Sequence, residues 1–243
     1  MSKRVLIIAA IFLCLTSAKA QPPQNARAVY SQGIAFMNKA QYQDAMASFF
    51  KAVILYKNYD SAYFQMAEIN MRYASFDTAI SFYKRALAVN PKYMQALINI
   101  GGVYKNFKND PNTGLGYYLK AIEIDSTNKE TWYYAAWCYN ALKDYDNAIR
   151  YAVKALSFDN DYKMAYGELG HAYHLSGKFA EGIVQFKKNI AISPNELPMY
   201  YAGLCYIELK DKVGATSMYD QLVKISSTRM AEALKKRIEA IGN

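Results

Sequence analysis

Small residues recur along this chain at an almost fixed step. Gly33, Ala67, Gly101, Ala136, Gly170 and Gly203 follow one another at intervals of 33 to 35 residues, and Ala45, Ala79, Gly114, Ala148, Gly182 and Ala215 keep the same rhythm. Two aromatic series run in phase with them: Phe36, Tyr104, Tyr139, Tyr173 and Tyr206, then Phe49, Tyr83, Tyr118, Phe186 and Tyr219. Four series in one phase describe six copies of one unit over residues 26–229. A unit of that length cannot bury its apolar face alone, so neighbouring copies must stack around a continuous core.

Within each copy two amphipathic helical patterns flank a polar turn, such as Leu142 to Asp146, and a helix-stopping proline often follows (Pro91, Pro194). Small side chains let paired helices cross closely, and the large ring one turn away fills the wider gap. Three residues depart from the series: Asn70 and Ala152 stand where other copies carry rings, and Asn189 replaces a small residue in the packing seam. The third copy has an extra residue and two glycines, Gly114 and Gly116, in its second helix. Each costs about 1 kcal/mol against alanine in a helix, so this copy is expected to be the loosest.

In the fourth copy Trp132, Ala136, Tyr139, Tyr145, Ala148 and Ala155, and in the fifth Leu169, Gly170, Tyr173, Gly177, Phe186 and Pro194, resemble the tetratricopeptide repeat signature. The resemblance implies an all-α fold: a right-handed superhelical solenoid of about six helix-turn-helix repeats. Their approximate spans are residues 26–59, 60–93, 94–128, 129–162, 163–195 and 196–229, preceded by a short linker over 21–25. A last pattern over 230–243, MAEALKKRIEAI and its tail, is expected to be the capping helix.

The stretch TWYYAAWCYNAL, Thr131 to Leu142, carries five rings, and the repeat phase sorts them. Trp132, Ala136 and Tyr139 share a stripe that matches the packing series, which assigns them to the core. Tyr133, Trp137 and Asn140 share another, and the residues equivalent to Trp137 are Ile34, Glu68, Gly102, His171 and Leu204. A position held by glycine in one copy and tryptophan in another is not chosen for the shared fold. The resemblance places this second stripe on a concave groove where peptides bind. It implies a ligand-binding set of Tyr30, Phe64, Asn99, Tyr133, Trp137, Asn140, His171, His174 and Tyr200, in which Gln65, Asn99 and Asn140 would fix the ligand's backbone.

The first twenty residues, MSKRVLIIAAIFLCLTSAKA, read as a secretory signal: Lys3 and Arg4, an apolar run, then small residues with a cut after Ala20. Leu13 before Cys14 argues against a lipid anchor on that cysteine. Removing this leader lowers the formal charge from +9 to +6, and the cations are dispersed among acids, which argues with export against nucleic acid as a partner. The expected location is periplasmic or secreted, with membrane contact only through partners.

Catalysis is not expected. The chain has two histidines, no glycine-rich phosphate turn and no acidic pair outside exposed turns such as Asp144 and Asp146, whose carboxylates suit helix N-termini. His171 and His174 stand three apart on one helix without a third ligand on their stripe, so no metal and no cofactor is expected. Cys138 and Cys205 fall in a series with Ala35, Ile69, Val103 and Ala172, as small apolar fillers roughly 20 Å apart by helix spacing. The basic clamp with which chaperone-binding members of the family hold a C-terminal carboxylate is missing: its places hold Tyr30, Ile34, Gln65, Gln95 and Asn99. The sequence therefore reads as an exported, non-catalytic scaffold for a peptide or protein segment, with glycan binding by the same rings, or a spacer without groove ligand, as alternatives.

Overall fold

The computed structural model describes residues 21–241; the expected leader and Cys14 lie outside the described residues. Among the described residues there are thirteen α-helices and no strand. The chain divides into two compact units, one up to Ala62 and one from Tyr63 onward.

The first unit holds the helix pair α1 (Gln24–Asn38) and α2 (Tyr42–Leu55). Gly33 sets their crossing: a Cβ there would lie 2.7 Å from the ring of Phe49, which is itself fully buried. Tyr30 packs on Phe49 and stacks on Tyr59, with centroids 5.4 and 4.9 Å away.

The second unit runs from α3 (Asp60–Arg72) through the pairs completed by α4 (Phe76–Val89), α5 (Met94–Asn106) and α6 (Pro111–Ile124), α7 (Lys129–Ala141) and α8 (Tyr145–Phe158). It continues with α9 (Lys163–Leu175) and α10 (Phe179–Ile192), α11 (Glu196–Glu208) and α12 (Lys212–Lys224), and ends on α13 (Thr228–Ala240). First helices touch across pairs, α7 on α9, α9 on α11 and α11 on α13, while among the described residues no two second helices make comparable contact. The rank of first helices is therefore the tighter, inner one.

All twelve residues of the two small series are buried. Gly170 lies under Phe186 as Gly33 lies under Phe49, and Gly203 lies under Leu234 of α13, which covers the last pair. The two glycines of α6 differ in role. A Cβ on Gly114 would sit 3.1 Å from the carbonyl of Gly101, so it marks a close helix crossing, whereas Gly116 faces open space and carries only the propensity cost.

Helix starts follow local chemistry. Asp110, Asn128, Asp144 and Asp211 each accept a hydrogen bond from the backbone N–H three residues on. Turns between paired helices each place one residue in the left-handed region: Ala40, Ala74, Asn109, Lys143, Gly177 and Lys210, with φ from 50° to 77°. Only Gly177 meets no Cβ penalty there. Lys143→Gly is expected to raise stability by about 0.5–1 kcal/mol, because the strain relieved exceeds the entropy glycine adds to the unfolded chain. A higher denaturation midpoint for Lys143→Gly and a lower one for Gly177→Ala would check it.

Candidate functional site

The inner rank of first helices in the second unit carries two polar clusters and one cleft. In the first cluster Asn99 donates through Nδ2 to Glu68 Oε1 (2.7 Å) and to the Tyr83 hydroxyl (3.0 Å), and its Oδ1 accepts from Gln95 Nε2 at 2.8 Å. Tyr83 in turn donates to Glu68. Asn99, expected to hold a ligand's backbone, is thus tied into its own fold, and a hollow of about 250 Å³ opens beside it, lined by Met71, Gly102 and Phe107 among others. Phe64 stacks on Tyr93 at 4.9 Å and packs on Tyr83 at 5.5 Å, which leaves it half-buried.

The second cluster joins α5, α7 and α9. Asn140 is only 6 % exposed, and its Nδ2 donates to the backbone carbonyl of Glu168 (3.0 Å) and to Glu168 Oε2 (2.9 Å). Its Oδ1 is a buried acceptor without a partner. Burial pushes the Glu168 carboxyl above the usual carboxylate range, while the Asn140 hydrogen bond and the Lys105 charge pull the other way. Lys105 lies over Trp137, 4.4 Å from the ring centroid, and over Tyr134 at 5.3 Å. Burial holds its ammonium below the ordinary lysine value.

Three expectations about α7 change. Trp132, assigned to the core, is half-buried at the outer side: its ring lies 5.1 Å from Tyr151, its Nε1 donates to the Ser126 carbonyl, and it lines an open hollow with Arg150, Val153 and Lys154. It stands near the start of α7, where it packs at the edge of the buried cluster of Ala136, Ala152 and Ala155 while its indole N–H reaches the backbone ahead of the helix. Tyr133, expected free of architectural duty, is 7 % exposed, held between Tyr134 (5.0 Å) and the edge of Tyr162 (5.7 Å). Asn140 faces the neighbouring helix instead of solvent, because Glu168 supplies the acceptors it needs.

Trp137 remains half-buried on the inner rank, and with His171 it lines a cleft of about 410 Å³ between α7, α9 and α11. Tyr133, Glu168, Gly167, Phe186, Asn189, Asn195 and Tyr201 complete much of the lining. The two histidines flank Tyr201, at 5.0 Å from His171 and 5.7 Å from His174. His174, however, turns its Nδ1 to within 3.3 Å of Cys205 Sγ and away from the cleft lining. Burial lowers the pKa of both imidazoles, so both are neutral at pH 7. Cys138 and Cys205 are free and buried, and burial pushes each thiol up to about 12, which keeps both protonated. Tyr200 is half-buried against Tyr201, and Leu204, expected on the groove, is 9 % exposed.

Sequence reasoning did not single out Gly167, Asn195 or Lys105. The first two had a signal, since both break a register in which other copies carry rings; Lys105 had none.

Three segments, residues 60–93, 117–150 and 199–226, match the tetratricopeptide repeat family, and the protein is an all-α tetratricopeptide repeat solenoid. The chain is similar to small glutamine-rich tetratricopeptide repeat-containing protein 2 of Saccharomyces cerevisiae, 32 % identical over 83 residues that span 34 % of this chain and 24 % of the yeast protein. The Mycosarcoma maydis protein of the same name is 25 % identical over 53 % of this chain and 33 % of its own length. This chain therefore matches only a minor part of either relative.

Among solved structures, PilW, described as a widely conserved type IV pilus biogenesis factor, superposes with a TM-score of 0.71 at 19 % identity over 87 % of this chain and 99 % of PilW. A tetratricopeptide repeat protein from Parabacteroides merdae gives 0.71 at 16 % identity over 91 % and 94 % of the two chains. YrrB, described as a TPR protein with an unusual peptide-binding site, gives 0.66 at 22 % identity over 77 % and 97 %. At these identities the likeness is one of fold.

Proposed function

We propose that the protein is a non-catalytic scaffold that holds a peptide or protein segment on the inner face of its second unit, centred on the cleft beside Trp137. The observation that carries this reading is the cleft itself: rings and aliphatic side chains make up much of its lining, with Lys163, Glu168, His171, Asn189 and Asn195 as its polar points. Rigid aromatic anchors in a preformed apolar cleft are what binding hot spots are built from. Similarity to PilW and YrrB supports a role in assembly through peptide contacts, and the signal pattern of residues 1–20 supports export to the cell envelope. No helix among the described residues is long and apolar enough to cross a membrane.

Trp137→Ala tests the reading. The variant is expected to keep its helical circular dichroism, since the ring is half-buried, and to lose about 2 kcal/mol of peptide affinity, roughly thirty-fold. Titration calorimetry with a peptide selected on the folded protein measures it. Unchanged affinity would remove the cleft from the site. Displacement of that peptide by free oligosaccharide would favour the glycan alternative.

A further inference from the structure

The cleft exists because one repeat breaks a pattern of paired rings. Midway along a first helix one residue meets the residue just before the next first helix: Tyr30 with Tyr59 in the first unit, and in the second Phe64 with Tyr93 and Tyr133 with Tyr162, at 4.9, 4.9 and 5.7 Å. The same two registers read Ile98 and Asn128 in the third repeat, and Tyr200 and Ser227 in the sixth, so one large side chain remains. In the fifth they read Gly167 and Asn195, and none remains.

A third change falls in the same place. Ala52, Ala86, Ala121 and Ala155 occupy one register, and the fifth repeat has Asn189 there. Asn189 is 6 % exposed; its Nδ2 donates to the Lys163 carbonyl at 2.7 Å and lies 3.2 Å from where a Cβ on Gly167 would stand. Asn195 Nδ2 reaches Asn189 Oδ1 at 3.3 Å. The loss of two rings and the gain of two amides thus replace a packed wall with an open space of about 410 Å³. The two amides are partnered with each other and with the backbone carbonyls of Lys163 and Ser193, which offsets the desolvation cost of bringing them into the seam and fixes the edge of the space. Amides there suit a ligand that combines a ring with peptide hydrogen-bonding groups.

Charge narrows the choice. Lys163 lines the cleft and Lys105 lies against Trp137, while the acid of the lining, Glu168, is hydrogen-bonded to Asn140. The exposed charge in the lining is therefore that of Lys163. Resting on the scaffold reading above, we infer that the fifth repeat receives an aromatic side chain of the bound segment, flanked by an acidic residue, in the space that the Tyr133 and Tyr162 pair fills one repeat earlier.

The test restores the repeat's own pattern in the full chain. Gly167→Tyr with Asn189→Ala restores the first-helix ring and the small seam residue of the fourth repeat, and Asn195→Tyr alone, at a half-exposed position, restores the other ring. The probes are acetyl-Ser-Glu-X-Gly-Ser-amide peptides with X as Phe, Tyr or Ser. Binding is followed by Trp137 fluorescence in a Trp132→Phe background, where that indole is the only one left. The Phe and Tyr peptides are expected to quench it at least tenfold more tightly than the Ser peptide. Either refilled variant should lower that affinity at least tenfold, with a melting temperature equal to or above the parent's. Equal binding of the Ser and Phe peptides overturns the inference, as does unchanged affinity in the refilled variants. If affinity survives refilling but is lost in Trp137→Ala, read by calorimetry, the groove reading stands and the ring pocket alone fails. If no peptide binds the parent, both fail.

Discussion

Phe186→Ala is expected to lower the unfolding free energy by about 3–5 kcal/mol, the usual cost of truncating a core phenylalanine. Phe186 is 2 % exposed and its ring rests on Gly170, where even a Cβ would come within 2.7 Å. Its other face stacks on Tyr201 at 5.9 Å, so the ring is the wedge between α9 and α11. The gap left by its loss adjoins the open cleft, and helices held apart by Phe186 cannot close over it without moving Tyr201. Adding Gly170→Ala to the variant should recover part of the loss, because the fourth repeat shows a seam of two small residues, Ala136 and Ala152, both fully buried. Urea denaturation at fixed pH measures both. A loss under about 1.5 kcal/mol would mean that the glycine and ring series do not set the helix spacing.

Asn140→Ala is expected to cost about 2–3 kcal/mol at neutral pH, the range for leaving buried acceptors without their donor. Both bonds of its Nδ2 end on Glu168, one on the backbone carbonyl and one on the carboxylate. The cost should depend on pH, with a definite sign. Burial raises the folded pKa of Glu168, so the native state takes up a proton before the unfolded chain does, and this group's contribution to stability grows as pH falls through the folded value. Removing Asn140 removes an influence that lowers that pKa, so the folded value rises further. The gap between parent and variant should therefore narrow as pH falls. His171, whose pKa burial lowers, acts in the opposite sense in both proteins, because the unfolded chain protonates first below about 6.5. It cancels in the difference. A gap that stays constant from pH 8 to pH 5 would sever Asn140 from Glu168 ionisation.

These two residues mark different degrees of legibility. Phe186 belongs to a ring series visible in the sequence at a fixed step, and the structure buries it where that series requires. Asn140 was visible only as a polar residue on the groove stripe. Its partner is on the next first helix, 28 positions away, and nothing in the repeat rhythm names Glu168 as that partner. Trp132 and Trp137 show the same limit: the stripe assigned one inward and the other to the groove, yet both are half-buried, because Tyr151 and Lys154 flank the first and Lys105 the second.

The sequence alone determined the helix pairs, their number and the residues at which they cross. How closely two helices approach is set by the size of a side chain at one position, and a repeat writes that requirement many times. Tertiary structure alone decided which inner side chains are tied to one another and which remain open to a ligand. That depends on what the adjoining repeat places across the seam: Gly167, Asn189 and Asn195 of the fifth repeat meet Tyr133 and Trp137 of the fourth around one cleft.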